Sequence, residues 1–218
     1  MLVVYTAITG SFPNQLRPPL GPQDPKGRKV RHICFSDKPR NVGRWQVVTP
    51  VWDHDDPRRV ARYHKALSHR LFPNARYTLW HDGNQQLKVN PWDLVDRYLN
   101  RDHVLASYKH PDRDCVYQEL EACVKLKKDN SGVMRRQIGA YRQQGYPAHN
   151  GMIETTAVLR DNSERARKIN NLWWKEIVAG SRRDQLSINY VLWRLKERHA
   201  VMAGQRDRPV YFNYFPHR

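Results

Sequence analysis

The chain has 218 residues, of which 39% are hydrophobic and 11% aromatic, and this composition suits one domain, residues 1–218, with a full core. No apolar run approaches the roughly 18 to 20 residues that span a bilayer, and the first residues lack the features of a secretory signal. These observations exclude a membrane-spanning class and predict a cytoplasmic protein. Three cysteines without CxxC spacing predict free, buried thiols. The excess of 38 Lys and Arg over 21 Asp and Glu gives a net charge of +17, which predicts an anionic partner.

The first half of the chain alternates strand patterns with helix patterns. A helix over 58–71 is predicted with Asp56 as N-cap and Pro57 at its first position, and Asn90 and Pro91 open a second, short helix. The predicted strands of this half cover 2–8, 29–36, 45–51, 75–80 and 103–107. The segment 13–29, rich in Pro, Gly and charge, is predicted to be a flexible loop within the domain.

The second half is predicted to be mainly helical. Its predicted elements are helices over 116–128, 134–141, 163–178 and 184–197, and strands over 151–159 and 210–214. Alternating strands and helices indicate a Rossmann-like α/β domain, with a mainly parallel sheet flanked by helices.

Polar turns after the predicted strands are the natural candidates for a site, because open parallel sheets bind ligands beyond the carboxyl ends of their strands. Four such turns occur in the segments 5–10, 34–37, 80–84 and 106–111. Each of them, taken alone, is better explained as an ordinary polar turn.

The turn at Asp82 and Asn84 has the chemistry of a divalent-cation site. Mn²⁺ or Mg²⁺ prefers oxygen ligands, which the Asp82 carboxylate and the Asn84 carbonyl can supply. Only one carboxylate is present, however. The alternative is a cation-poor site beside His81 that relies on Arg and Lys.

A basic ridge is predicted along the helix over 58–71. Arg58, Arg62, Lys65 and His69 are three to four residues apart and therefore share one face. If this face meets the strand ends, Arg62 and Lys65 can neutralise a diphosphate. The alternative is a solvated helix face.

Asp184, between Arg183 and Gln185, stands at the start of the last predicted helix. It can act as an N-cap, or as the carboxylate that deprotonates an acceptor hydroxyl. Glu154 is the next candidate for that base.

A series of motifs extends over nearly the whole chain. In order, they are Tyr5-Thr-Ala-Ile with Gly10, Cys34-Phe-Ser-Asp37, Arg62-x-x-Lys65, His69-x-Leu-Phe-Pro73, Trp80-His-Asp-Gly83, His110-Pro-x-Arg-x-Cys-x-Tyr117-x-Glu119, Gly151-x-x-Glu154 and Arg183-Asp-Gln-Leu-Ser187. The series resembles the glycosyltransferase-like domain of plant mucilage and turgor-regulation proteins and of bacterial and phage relatives.

This resemblance implies a GT-A type fold and a nucleotide-sugar donor. It also implies roles for particular residues. Tyr5, Thr6 and Asp37 would hold the nucleoside, Arg62 and Lys65 the diphosphate, Asp82 the metal, and His110, Arg113, Gly151 and Glu154 the sugar and acceptor, with Asp184 nearest the chemistry.

The sequence leaves three functions open. The preferred one is glycosyl transfer to an anionic acceptor, above all a hydroxymethylated base in DNA, which must be exposed or flipped out of the duplex. The second is transfer to a polysaccharide or lipid-linked sugar at a membrane surface. The third is a nucleic-acid-binding protein without catalytic activity.

Overall fold

A seven-stranded sheet forms the centre of the protein, in a computed structural model that describes residues 1–10, 16–38 and 41–216. Its strands in spatial order are β3 (Trp45–Val48), β2 (Val30–Ser36), β1 (Leu2–Ile8), β4 (Tyr77–His81), β7 (Ile153–Asp161), β6 (Leu105–Lys109) and β8 (Ala200–Met202). A separate two-stranded sheet pairs β5 (Gln85–Leu87) with β9 (Phe212–Tyr214).

The main sheet is mostly parallel. β1 pairs in parallel with β2 and β4, β2 with β3, and β6 with β8, whereas β7 runs antiparallel to both β4 and β6. The amino end of β7 therefore lies at the same edge as the carboxyl ends of β1, β4 and β6. This arrangement confirms the predicted α/β class and its GT-A-like architecture.

Seven helices accompany the strands in the described part of the chain. They are α1 (Pro57–Ala66), α2 (Ser68–Leu71), α3 (Pro91–Tyr98), α4 (Val116–Lys125), α5 (Ser131–Gln143), α6 (Glu164–Ala179) and α7 (Gln185–Arg194). Alternate residues of β1 enter two different apolar clusters. Val3 and Tyr5 pack with α1 and α4 to α7, and Leu2 and Val4 pack with α3 and the small sheet. Both faces of the sheet are therefore covered.

The start signals of two helices are confirmed. Asp56 caps α1 through a hydrogen bond from the Arg58 backbone N–H to its Oδ1 (3.0 Å), with Pro57 at the first turn. Asn90 caps α3 in the same way, accepting a hydrogen bond from the Trp92 N–H at 3.1 Å.

The prediction of one continuous helix over 58–71 was wrong, because the helix breaks at Leu67. The buried guanidinium of Arg160 donates to the carbonyl oxygens of Lys65 (2.6 Å) and Ala66 (3.3 Å). In a continuous helix these carbonyls would accept from backbone N–H groups four residues later. The distant side chain satisfies them instead, and the chain restarts as α2.

A β-bulge interrupts β7 next to the carboxyl edge. Ser107 of β6 pairs with Val158 and the following Tyr108 with Glu154, so that residues 155–157 have no partner on β6. The Ser107 hydroxyl lies 2.7 Å from the carbonyl oxygens of both Glu154 and Ala157 and closes the bulge. Bulges redirect side chains, and this one directs the side chains of Glu154 and Thr155 towards the loops at the sheet edge.

Other differences from the predicted elements are small. β5 and β8 were not predicted, β9 joins the small sheet, and α7 ends at Arg194 rather than at 197. The described part of the predicted loop, 16–29, has no regular structure and is anchored to the domain, for example by Arg44 Nη2, which donates to Gly21 O at 2.7 Å. The three cysteines are buried, as predicted. None of the described helices has the length and apolarity needed to cross a membrane.

Candidate active site

A cavity of about 460 Å³ opens at the carboxyl edge of β1 and β4. Its floor is the end of β1 and the turn after β4, and its walls are the first turns of α1, the turn after α4 and the loop before α7. Open α/β sheets bind ligands at this edge. The cavity is therefore the candidate donor site.

The charge of the cavity is strongly positive. Its basic lining residues are Arg58, Arg62, Lys127, Lys128, Arg182 and Arg183, and Asp82 is the only carboxylate among the described lining residues. Arg182 pairs with Asp56 (3.0 Å) and Asp129 (3.2 Å). The side chains of Arg58, Lys127 and Lys128 form no ion pair with any described residue, so they can bind an anionic ligand.

Asp82 lies in the cavity wall with 30% of its side chain exposed. Its Oδ1 accepts a hydrogen bond from Trp80 Nε1 at 2.8 Å and lies 3.5 Å from Lys65 Nζ. The carboxylate is thereby held in a fixed orientation at the cavity.

Behind Asp82, a buried network joins α1 to β7 and α7. Lys65 Nζ lies 2.7 Å from Asp184 Oδ2, and Arg62 Nε lies 2.9 Å from Asp184 Oδ1. Thr155, from the bulge, donates to Asp184 Oδ2 at 2.7 Å and accepts from Lys65 at 3.0 Å. Burial alone would raise the pKa of the Asp184 carboxyl. The positive charges of Arg62, Lys65 and Arg183 outweigh this effect and hold that pKa well below its usual range.

The expectation of a basic ridge on this helix needs correction. Arg58 and Arg62 line the cavity, but Lys65 is only 1% exposed and is paired with Asp184. His69 lies on α2, and burial lowers its pKa to about 4, which leaves it neutral. A diphosphate could contact Arg62, whereas Lys65 lies behind the cavity wall.

Of the two roles predicted for Asp184, the side-chain cap of α7 is not observed. Asp184 has helical backbone angles, and its side chain makes no capping hydrogen bond. The carboxylate turns inward to the two cations instead, because a buried ammonium without a counter-charge would be far more costly than an uncapped helix N-terminus.

Glu154 lies in a second buried cluster beside this network. Burial raises its pKa to about 7, while the positive charge of Arg206 opposes the shift and the negative charge of Asp82 adds to it. Gln185 Nε2 donates to Glu154 Oε2 at 2.8 Å, and Gln185 Oε1 accepts from Arg183 Nη2, also at 2.8 Å. The cavity is thus connected to Glu154 through Arg183 and Gln185.

His110, Arg113 and Glu119 complete the second cluster. His110 Nδ1 accepts from the backbone N–H groups of Asp112 (3.2 Å) and Arg113 (3.1 Å), which places the proton of the neutral ring on Nε2. That nitrogen lies 3.5 Å from Glu119 Oε2 and 3.9 Å from Glu154 Oε2. The Arg113 guanidinium pairs with Glu119. The structure therefore brings His110, Arg113 and Glu154 together, and their contact with a sugar or an acceptor stays a prediction.

Tyr5 and Thr6 do not line the cavity. β1 continues to Ile8, so residues 5 and 6 lie inside the strand and are covered by the two apolar layers, and Ala7, Ile8 and Thr9 line the cavity instead. Tyr5 donates to the Lys65 carbonyl and accepts from Arg160 within the core. The expected contact of Tyr5 and Thr6 with the nucleoside is not supported.

The remaining expected residues have separate positions. Asp37 is exposed, and its Oδ2 accepts from the Gly10 N–H at 2.8 Å, so a contact with the nucleoside stays a prediction. Asn84 lines the cavity, while its backbone carbonyl accepts from the Phe215 N–H at 2.9 Å. Gly151 has φ +78° just before β7 and is not a lining residue of the donor cavity.

The oxygen donors near Asp82 fit a resident divalent cation poorly. Asp184 is 2% exposed and both of its oxygens face cations. The His81 ring packs against Trp45 and Phe212, on the side of the sheet that carries α3. In the described parts of the chain, no three His, Cys, Asp or Glu side chains converge as metal ligands.

Several residues of the site were not predicted from the sequence. Thr155 belongs to the bulge, Arg206 reaches Glu154 (3.7 Å) from the loop between β8 and β9, and Lys127 and Lys128 come from the turn after α4. The Lys125-Leu-Lys-Lys128 sequence is the one local signal, a basic run at a helix end.

Comparison with known proteins identifies the family of this chain. The sequence model of the TOD1/MUCI70 glycosyltransferase-like domain matches residues 27–215. The chain belongs to this family.

Two relatives from Arabidopsis thaliana match the chain. The probable hexosyltransferase MUCI70 is 32% identical over 165 residues, which are 71% of this chain and 28% of that protein. The alkaline ceramidase TOD1 is 28% identical over 164 residues, 69% of this chain and 35% of that protein. The chain thus spans about a third of either relative.

Among solved structures, the apo form of the bifunctional glycosyltransferase WbbM superimposes with a TM-score of 0.48 and 10% identity. The superposition covers 92% of this chain and 38% of that one.

Proposed function

We propose that this TOD1/MUCI70 domain transfers a sugar from a nucleotide-sugar donor to an acceptor hydroxyl. The observation that carries the proposal is the cavity with six basic side chains and one described carboxylate at the carboxyl edge of the sheet. A diphosphate is the part of a nucleotide sugar that needs such a site. The same cations stabilise the charge that develops on the leaving diphosphate during transfer.

The charged side chains in and next to the cavity have distinct tasks in this proposal. Arg58 and Lys128 bind the diphosphate from opposite walls. Asp82, held by Trp80, accepts hydrogen bonds from hydroxyls of the donor sugar. Glu154, whose pKa is about 7, is the general base that takes the proton of the acceptor hydroxyl. Asp184 is a poorer base because two cations hold it ionised and buried.

Removal of the exposed cations should weaken donor binding. For the double variant Arg58→Ala/Lys128→Ala we expect about tenfold weaker binding of nucleoside diphosphates, since charge-assisted hydrogen bonds to both groups are lost. Binding of the free nucleosides should change less than twofold. Isothermal titration of a panel of nucleoside diphosphates and nucleosides measures both.

Lys168→Ala is the matched control, because Lys168 is exposed on α6 and does not line the cavity. It should bind every ligand as the wild type does. Equal losses for nucleosides and diphosphates in the double variant would show that the diphosphate lies elsewhere.

We further propose that the acceptor is an anionic polymer, with a hydroxymethylated base in DNA as the preferred case. The net charge of +17 supports this proposal, because a phosphate backbone attracts such a surface. Labelled sugar should enter single-stranded DNA with hydroxymethylated bases, and the transfer should fall steeply between 50 and 200 mM salt, roughly as for other phosphate-binding proteins.

Unmodified DNA and an acidic polysaccharide are the comparison acceptors. If label enters only the polysaccharide, the acceptor is a polysaccharide and not DNA, and the proposed transferase activity still holds. DNA binding without transfer of any sugar would favour the nucleic-acid-binding function without catalysis.

A further inference from the structure

The ammonium group of Lys65 lies between the two carboxylates nearest the donor cavity. Its Nζ is 2.7 Å from Asp184 Oδ2 and 3.5 Å from Asp82 Oδ1, and it donates to Thr155 Oγ1 at 3.0 Å. The Lys65 side chain is 1% exposed, so these groups and not water solvate its charge. The ammonium is therefore a fixed positive charge directly behind the turn after β4.

Lys65 thus supplies a positive charge to Asp82 from the protein side. A hard cation needs about six oxygen ligands at short distance. Here Asp184 directs one oxygen to Lys65 and the other to Arg62, and Asp82 is the only described carboxylate in the cavity wall. Both oxygens of Asp184 and Oδ1 of Asp82 thus already face protein cations.

The charges around the cavity also argue against a need for a divalent cation. Lys65 offsets part of the negative charge of Asp82 from behind, so that the carboxylate repels a diphosphate less than an unpaired one would. The six basic lining residues supply positive charge from the other sides, which is the task that a divalent cation would otherwise perform. No further cation is needed to bring a dianionic group into the cavity.

We propose that Lys65 is a built-in replacement for the divalent cation, and that donor binding by this domain is independent of divalent metals. The inference rests on the proposed donor site. Lys65 is a positioning residue, since it acts on the diphosphate through Asp82 and does not line the cavity.

Isothermal titration of the wild-type protein with nucleoside diphosphates, in EDTA and then in Mn²⁺, tests the inference. The Kd is expected to agree within about threefold between the two conditions. Tightening by more than tenfold in Mn²⁺ would overturn the inference and leave the donor site intact. Absence of binding in both conditions would instead show that the proposed donor site is wrong, and the inference with it.

Lys65→Met removes the charge while keeping an unbranched side chain. In EDTA this variant should bind nucleoside diphosphates at least tenfold more weakly than the wild type, because Asp82 then repels the ligand, and Mn²⁺ should recover part of the loss. Binding as tight as that of the wild type in EDTA would contradict the role of Lys65. Circular dichroism establishes that the variant is folded.

Asp82→Asn gives a second test that keeps the Lys65–Asp184 pair and an oxygen for Trp80. Because a negative charge leaves the cavity, nucleoside diphosphates should bind two- to tenfold more tightly in EDTA. A residue that holds a metal gives the opposite sign when the titration is repeated in Mn²⁺, because Asn is a poorer cation ligand than a carboxylate. Weaker binding by more than tenfold, with loss of a Mn²⁺ response, would overturn the inference even if Lys65→Met does not fold.

Discussion

Replacement of Glu154 by Gln is expected to reduce turnover at pH 8 by about 10²-fold or more, the usual contribution of a general base. Gln cannot take a proton, but its oxygen can still accept the hydrogen bond that Gln185 donates. Donor affinity should therefore change little. Turnover on the hydroxymethylated DNA acceptor and titration of the nucleoside diphosphate measure the two quantities separately.

The turnover of the wild type should depend on pH through the ionisation of Glu154. The pKa of Glu154 is raised to about 7, and the base is active only when ionised, so turnover should rise as the pH increases through 7. Because the folded state holds this proton more tightly than the unfolded state, the Glu154 contribution to stability is present at low pH. It is lost as the pH rises from the ordinary glutamate pKa towards 7.

Glu154→Gln should consequently have a higher melting temperature than the wild type at pH 8 and a similar one at pH 5. Glu164→Gln is the matched control, since Glu164 is exposed at the start of α6, and its turnover and pH profile should equal those of the wild type. Retention of wild-type turnover by Glu154→Gln would show that another group takes the proton.

Asp184→Asn is expected to lower the free energy of unfolding by about 3–5 kcal/mol, the usual result of removing one partner from a buried ion pair. Arg62 and Lys65 would then lack their shared counter-charge, and Lys65 cannot reach water. As a pure N-cap, Asn would be as good as Asp and stability would change by only a few tenths of a kcal/mol. Urea unfolding at pH 7 separates the two outcomes.

The dependence of the free energy of unfolding on pH in the acid range gives an independent check. The cations hold the pKa of Asp184 below its usual range, so its contribution is present at neutral pH and is lost as the pH falls below that range. The difference between wild type and variant should therefore shrink in acid. Asp207→Asn, at an exposed position, is the control and should be neutral. A variant that keeps full stability at pH 7 and loses turnover would show that Asp184 acts on the acceptor.

The sequence by itself determined the local elements and the edge at which the site lies. Asp56 with Pro57 and Asn90 with Pro91 specify helix starts, because a side-chain cap and a proline ring act on the backbone within two or three residues. Strand alternation and polar turns at strand ends placed Asp82 at the cavity. The alternation of strand and helix patterns predicted the α/β class, and the ordered motifs identified the family.

Only the tertiary structure decided what the charged residues do. Lys65 has the spacing of a surface cation, and its burial follows from the tertiary packing of α1, which brings Asp184 and Thr155 to it. Tyr5 lies in a polar-looking segment, yet the length of β1 and the covering of both faces bury it.

The bulge in β7 is a second feature that only the tertiary structure decided. Nothing in the sequence from Glu154 to Ala157 distinguishes a bulge from regular strand, because the irregularity is fixed by the register of β7 against β6 and by the Ser107 hydroxyl. Spacing along the chain specifies which face or turn a residue occupies. Partners that are distant in sequence decide whether its charge is neutralised, buried or left to bind a ligand.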